Sequence, residues 1–305
     1  PTLATLAELQ RRHVETFPSP RWASTMNDTL NLDVYLQRLG YSGDRAPTLA
    51  TLAELQRRHV ETFPFENLTS YLGGEVPLDT ATLEAKLLHG GRGGYCFEHN
   101  RVFQLALRQL GFQVRGLAAR VFWNQSEDAQ PPTTHMLLHV LIDGVPWIAD
   151  TGFGALTPTA PLRLDVDGEQ ATSHEPYRVR QSGADYRLEA KLGAQWRLLY
   201  RFPLHEASPA DYRLFNWYVS HHPESLFVAH LVSARVEAGC RHTLLDHRYT
   251  VRFPDGASET HELEDADRVL DLLERVFRVR VGDMRVRDQQ ALRQRLALET
   301  EDGVR

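Results

Sequence analysis

A cysteine, Cys96, stands in the run HGGRGGYCFEHN between His89 and Asn100, with four glycines just ahead of it. The Gly93-Gly94 pair allows a tight turn and a close backbone approach. An apolar helical pattern starts at about Tyr95, so Cys96 falls in the first turn of a helix. A helix N-terminus favours negative charge and lowers a thiol pKa, and reactive thiols are found in such places. An inert buried cysteine is the plain alternative.

A nucleophilic thiol needs a base, and the base needs an orienting group. The segment HMLLHVLIDGVPWIAD offers both. Asp143-Gly144 is a type I′ turn signal between two apolar runs, and a two-residue loop pairs Ile142 with Val145. In that register His135 and Asp150 are diagonal cross-strand neighbours, roughly 7–8 Å apart at the backbone. Pro146 falls opposite Leu141 at a non-hydrogen-bonded pair, where its missing N–H costs nothing. His139 shares the face, and spacing alone does not choose between the two histidines. An ordinary surface pair of His135 and Asp150 has the same signature.

Other chemistries fit less well. His135 and His139 have H-x3-H spacing, but the segment reads as strand, lacks the HExxH glutamate and has no CxxC nearby, so no metal site is expected. The GGRGGY run lacks the GK[ST] ending of a phosphate loop and fails GxGxxG spacing.

Helices surround the cysteine. Leu32, Tyr35, Leu36 and Leu39 line one helical face that stops at Gly40. Thr51 and Glu54 have capping-box spacing at the head of a second helix carrying Leu52, Leu55 and His59. Asp79 or Thr80 caps a third helix with Leu83 and Leu87, closed by Gly90, and a fourth runs from about Tyr95 to Leu110. Strand patterns follow in QVRGLAARVFW, in the hairpin and in YRVRQSGADYRLEAKLGAQWRLLYRF, with a polar loop over Asn124–Thr134. Beyond about Asn216 the signals mix: strands near LFVAHLVSARV and HRYTVRFPDG, a helix over Asp265–Val276, and a partly helical charged tail from Arg285. His221-His222 reads as a loop or strand edge before Pro223, and Cys240 as structural.

The 305 residues carry a net charge of −6, which argues against an electrostatic grip on nucleic acid or an anionic membrane. No run approaches the ~20 apolar residues of a membrane span. Two cysteines without a CxxC pair fit a reduced, cytoplasmic setting. The 18 residues Pro1–Pro18 recur without mismatch at Pro47–Pro64. Structural repeats drift and come in longer series. Residues 1–25 are therefore expected to be a duplicated appendage outside the fold rather than an autoinhibitory helix, with Met26 as a plausible chain start.

From Met26 onward the sequence resembles the arylamine N-acetyltransferases. PFENL at Pro64–Leu68, RGGYCFEHN at Arg92–Asn100, THMLLHV at Thr134–Val140, WIADTGFG at Trp147–Gly154 and HPESLF at His222–Phe227 carry the resemblance. It implies an α+β fold in three parts: a helical bundle over 26–112, an antiparallel β-barrel over 113–215 and an α/β lid over 216–305. A Cys-His-Asp triad of Cys96, His135 and Asp150 would lie between the first two, which selects His135 over His139. It implies ping-pong acetyl transfer from acetyl-CoA to an arylamine, arylhydroxylamine or hydrazine in xenobiotic metabolism, with acetyl-CoA a cosubstrate and no tightly bound cofactor. Thr134, Gly152 and Gly154 would contribute to the CoA-binding face, with these two glycines allowing backbone approach to the pyrophosphate, while the glycines before Cys96 would leave room for the acyl donor and the turn. Phe65, Phe153 and Phe227 would line the acceptor and thioester pocket, and Glu66 with Arg92 would brace the turn before Cys96. Thr151 stands where the family usually has Val, and its hydroxyl needs a partner if buried. Thiol hydrolases of the transglutaminase-like or papain-like type use the same triad and are the rival activity. A non-catalytic CoA-binding protein is the rival outside enzymes.

Overall fold

The computed structural model describes residues 29–302, with side chains as far as Leu296 and Ala297. The repeated segment at Pro1–Pro18 and Met26 lie outside the described residues. Helix α1 (Leu32–Arg38) begins where the Asn31 side chain accepts from Val34 N, and the chain leaves it through Gly40 at φ +61°. Helix α2 (Leu49–Thr62) is capped by Thr48, one turn before the Thr51 start expected from the sequence. Leu49 and Ala50 are good helix formers, so the helix runs back until the ring of Pro47. Thr51 is buried there and bonds the Thr48 hydroxyl at 3.0 Å. A two-residue strand β1 (Phe65–Glu66) and a short turn α3 (Leu68–Tyr71) follow. Asp79 caps α4 (Thr80–Leu83), which widens into a π-helical turn over Glu84–His89 ending at Gly90. Helix α5 (Cys96–Gln109) stops before Gly111 at φ +85°.

Strands β2 (Gln113–Val121), β3 (Thr133–Ile142), β4 (Val145–Ala149), β5 (Leu162–Arg163), β6 (Tyr177–Ser182), β7 (Asp185–Leu192) and β8 (Gln195–Pro203) form one antiparallel sheet. Its order is β5-β4-β3-β2-β8-β7-β6, and it curls into a nearly closed barrel. The β3–β4 turn has φ +49° at Asp143 and +78° at Gly144, as type I′ requires. Ile142 pairs with Val145 and Leu141 with Pro146, the expected register.

Strand β3 is buried on both faces. Leu137 points into the barrel with Leu117, Ile148 and Tyr200. Met136, Leu138 and Val140 point the other way, into one core with Phe97, Phe103 and Leu107 of α5. Two-residue alternation therefore makes β3 a shared wall. Each fully buried Leu, Val or Phe in it contributes about 1.5–3 kcal/mol.

After the barrel come α6 (Pro209–His221) and a helical turn α7 (Leu226–Ala229). Four strands follow, β9 (Val232–Glu237), β10 (Cys240–Leu245), β11 (Arg248–Arg252) and β12 (Ser258–Glu262), then α8 (Ala266–Arg275) and α9 (Val286–Asp302). Their sheet runs β1-β9-β10-β11-β12, so a strand from the helical region forms its edge.

Several expectations are corrected here. The expected boundary at 215/216 falls inside α6. Ser208 and Asp211 make a reciprocal capping box with Pro209 inside the first turn, but the aromatic and β-branched run after it hides this start. His221 ends that helix and His222 caps it; neither is a strand edge. Leu226–Ala229 is helical because the Ser225 hydroxyl accepts from Phe227 N, against the strand propensity of its side chains. Among the described residues no helix is long and apolar enough to cross a membrane.

Candidate active site

Helix α5 delivers Cys96 at its first residue, with the carboxylate of Glu98 accepting from Tyr95 N at 3.0 Å to fix the start. The thiol is buried, 3.5 Å from the carbonyl oxygen of Thr134 on β3, and near enough to His135 to help raise its pKa. The other side of the imidazole is taken: His135 Nε2 lies 2.7 Å from Asp150 Oδ2. Asp150 sits just past β4, and both side chains are almost fully buried. The geometry thus brings Cys96, His135 and Asp150 into one cluster. His139 is not part of it. Residue 139 pairs in the sheet with Arg115 and Ile148, and burial together with the Arg115 charge depresses the pKa of its imidazole to about 4.

The carboxylate of Asp150 is saturated. Oδ2 also accepts from the Tyr200 hydroxyl at 3.0 Å, and Oδ1 accepts from Asn100 Nδ2 at 3.0 Å and Gly152 N at 2.9 Å. Burial pushes its pKa up, but His135 and these donors hold it below the ordinary value. For His135 burial works against the charged form, yet Asp150 and Cys96 outweigh it and raise the imidazole to about 10. The ring, whose charged form this pairing favours, is wedged between Phe153 and Tyr200 at centroid distances of 5.3 and 4.8 Å.

Asn100, Tyr200 and Gln56 are the members that sequence reading misses. Asn100 donates to Met136 O at 2.7 Å as well as to Asp150, and its Oδ1 accepts from Thr151 N at 3.0 Å. The same oxygen takes the Thr151 hydroxyl at 3.3 Å, so that buried group has its partner. Gln56 Nε2 reaches Asp150 O and Pro158 O. Asn100 does have a signal, since it lies four residues after Cys96 and hence on the same helical face. Tyr200 and Gln56 have none.

The glycines are filled by protein. A Cβ on Gly93 would lie 1.8 Å from Pro64 O, one on Gly94 2.6 Å from Glu98, and one on Gly152 2.7 Å from Cys96 Cα. The absence of a side chain at these three positions lets β1, α5 and the loop after β4 touch. Gly154, at φ +88°, lies against the ring of Phe65.

Glu66 receives Arg92 through Nε and Nη2, each at 3.0 Å, and Lys86 bridges from Glu98 at 2.7 Å. Although burial opposes ionisation, Arg92 and Lys86 bring Glu66 down to about 2. Burial raises Glu98. Phe65 and Phe227 meet edge to face at 5.6 Å, while Phe153 stands apart beside His135. A recess of about 820 Å³ opens at the outer side of β2, β3 and β8 near α6, lined by Arg120, Thr133, Arg201 and Phe215. None of the triad residues or the three phenylalanines lines it.

Comparisons with known proteins bear on this constellation. Residues 48–286 match the N-acetyltransferase family model. The chain is 39% identical over 266 residues to an arylamine N-acetyltransferase of Mycolicibacterium smegmatis, covering 86% of this chain and 96% of that one. It is 38% identical over 220 residues to the arylamine N-acetyltransferase / N-hydroxyarylamine O-acetyltransferase of Salmonella typhimurium, covering 72% and 78%. The solved structure of Mycobacterium marinum arylamine N-acetyltransferase in complex with CoA superposes with a TM-score of 0.83 at 38% identity, covering 87% and 98%.

Proposed function

The chain belongs to the arylamine N-acetyltransferase family and is an acyltransferase; from that premise we propose that it moves an acetyl group from acetyl-CoA to an aromatic amine, arylhydroxylamine or hydrazine by way of acetyl-Cys96. The observation that carries this reading is the buried His135–Asp150 pair at 2.7 Å, with the buried Cys96 at the head of α5 held against Thr134, the neighbour of His135.

Asp150 orients His135 and stabilises its imidazolium, which keeps Cys96 as a thiolate. The thiolate attacks the thioester carbonyl, and backbone N–H groups at the start of α5 receive the developing oxyanion. The C–S bond to CoA breaks, the leaving thiolate takes a proton from His135, and acetyl-Cys96 remains. The amine then attacks the thioester carbon and passes a proton to His135. Collapse releases the acetamide and returns the thiolate–imidazolium pair.

Thr134, Gly152 and Gly154 contribute backbone to the CoA side, with Gly152 N already held by Asp150. Phe65 and Phe227 form one wall of the acceptor pocket, and Phe153 covers the imidazole. Glu66 and Arg92 brace the turn that aims α5. Three regions share the work: helices supply the thiol, the barrel supplies base and orienter, and the last region supplies Phe227. The Salmonella relative's name supports including hydroxylamine oxygen as an acceptor.

The test is intact mass after acetyl-CoA without amine. One added acetyl group on the wild type, absent from Cys96→Ala and discharged by a hydrazine, is the expected result. An adduct that survives in Cys96→Ala overturns the assignment.

A further inference from the structure

Away from Cys96, the β9–β10 hairpin gathers a second set of reactive side chains. Glu237 and Cys240 are direct cross-strand partners around the Ala238-Gly239 turn, and His242 follows Cys240 by two on the same face. Their polar atoms converge: Cys240 Sγ lies 3.3 Å from His242 Nε2, and Glu237 Oε2 lies 3.2 Å from that same nitrogen. All three atoms fall within 4.8 Å of one another.

Two partners on one nitrogen distinguish this cluster from the catalytic triad. In a relay the base uses its two ring nitrogens for two partners. Here Nδ1 is already bound, 2.8 Å from the Tyr249 hydroxyl. A proton between Nε2, Sγ and Oε2 satisfies two of the three atoms at best. A cation satisfies all three together.

We propose that Glu237, Cys240 and His242 form a binding site for a borderline divalent cation of the Zn2+ class, with water as the fourth ligand. The spacing supports this. Bonds of about 2.3 Å to sulfur and 2.0–2.2 Å to nitrogen and oxygen at tetrahedral angles put ligand atoms about 3.4–3.6 Å apart. The observed 3.3 and 3.2 Å need to open by only a few tenths. The donor set is one thiolate, one imidazole and one carboxylate, which favours zinc or cobalt over magnesium or calcium. With Nδ1 donating to Tyr249, the Nε2 lone pair is presented to the ion, the usual outer support of a metal-bound histidine.

Binding is an exchange: the S–H bond of Cys240 breaks, its proton goes to water, and the S–metal bond forms without redox change. Burial and the Glu237 charge raise the pKa of the Cys240 thiol, so the metal must displace a firmly held proton. Arg235 and Arg278 lie on the other carboxylate oxygen, Oε1, at 2.7 and 3.6 Å, which leaves Oε2 free for the ion but limits affinity. Glu259 is the further charge felt at Tyr249, and His174 Nε2 contacts Glu237 O at 2.9 Å. The ion would clamp the turn end of β9, whose other end pairs with Phe65 and Glu66.

Cobalt titration of Cys96→Ala tests this, because Cys240 is then the remaining thiol of the chain's two. The expected result is one equivalent of Co2+ with a thiolate-to-cobalt charge-transfer band and tetrahedral d–d absorption. Adding His242→Gln or Glu237→Gln should weaken binding at least ~10-fold, and Tyr249→Phe about 10-fold. Far-UV circular dichroism checks the fold of each variant, and Glu237→Gln, at a half-exposed position, serves if His242→Gln does not fold. Absence of the thiolate band, or an unchanged midpoint in the Glu237 variant, overturns the proposal.

Discussion

Asp150 and Glu66 are both buried carboxylates, each saturated with donors and each one contact away from the start of α5. They differ in the partner. Asp150 faces an imidazole that can give up its proton, whereas Glu66 faces a guanidinium that cannot. In the proposed mechanism the first carboxylate governs a mobile proton beside the thiol. The other is an anchor whose charge state never changes near neutrality. Like residue chemistry and burial thus meet a titratable partner in one place and a permanently charged one in the other.

Substitution separates the two roles most sharply at Asp150. Asp150→Asn should lower kcat/KM about 10³–10⁴-fold, because the amide cannot stabilise the imidazolium, while the fold persists. Steady-state acetylation of a hydrazine checks this; a loss below tenfold would make Asp150 another brace. Glu66→Gln should instead cost about 3–5 kcal/mol of stability by leaving Arg92 and Lys86 without their counter-charge. Urea unfolding reads that loss, and alkylation of Cys96 should keep its pH profile in the folded fraction.

The pH dependences should be of opposite sign. Glu66 has a folded pKa near 2 against an ordinary 4.5, so its contribution is complete above about pH 4.5 and is lost as pH falls toward 2. His135, raised from 6.5 to about 10, contributes fully below about pH 6.5 and loses that contribution as pH rises through 10. Thermal midpoints across pH should therefore lose part of the acid limb in Glu66→Gln and part of the alkaline limb in Asp150→Asn. The smallest effect belongs to Thr151→Val. Asn100 Oδ1 keeps the backbone bond from residue 151, so stability and kcat/KM should move by about 1 kcal/mol or less.

What could be read from the sequence follows the range of each interaction. The hairpin is legible because Asp143-Gly144 fixes its own turn and two-residue alternation fixes the rest. Helix α5 is legible from its period and Gly111. The Glu66–Arg92 contact is expected from family resemblance, not from spacing. Tyr200 and Gln56 reach Asp150 across 50 and 94 positions, and no local pattern encodes such a meeting. Helix α6 is missed for the opposite reason: its start signal is local and complete, but its side chains prefer strands.

The two-sided burial of β3 has a consequence for how the molecule comes apart. Because Met136, Leu138 and Val140 complete the underside of α5 while Leu137 completes the barrel, neither core can melt alone without exposing the other's apolar lining. The thiol's helix and the base's strand thus belong to one cooperative foldon. Partial opening cannot leave Cys96 on a loosened scaffold, and thermal loss of the Cys96, His135 and Asp150 arrangement should coincide with loss of the barrel in a single transition.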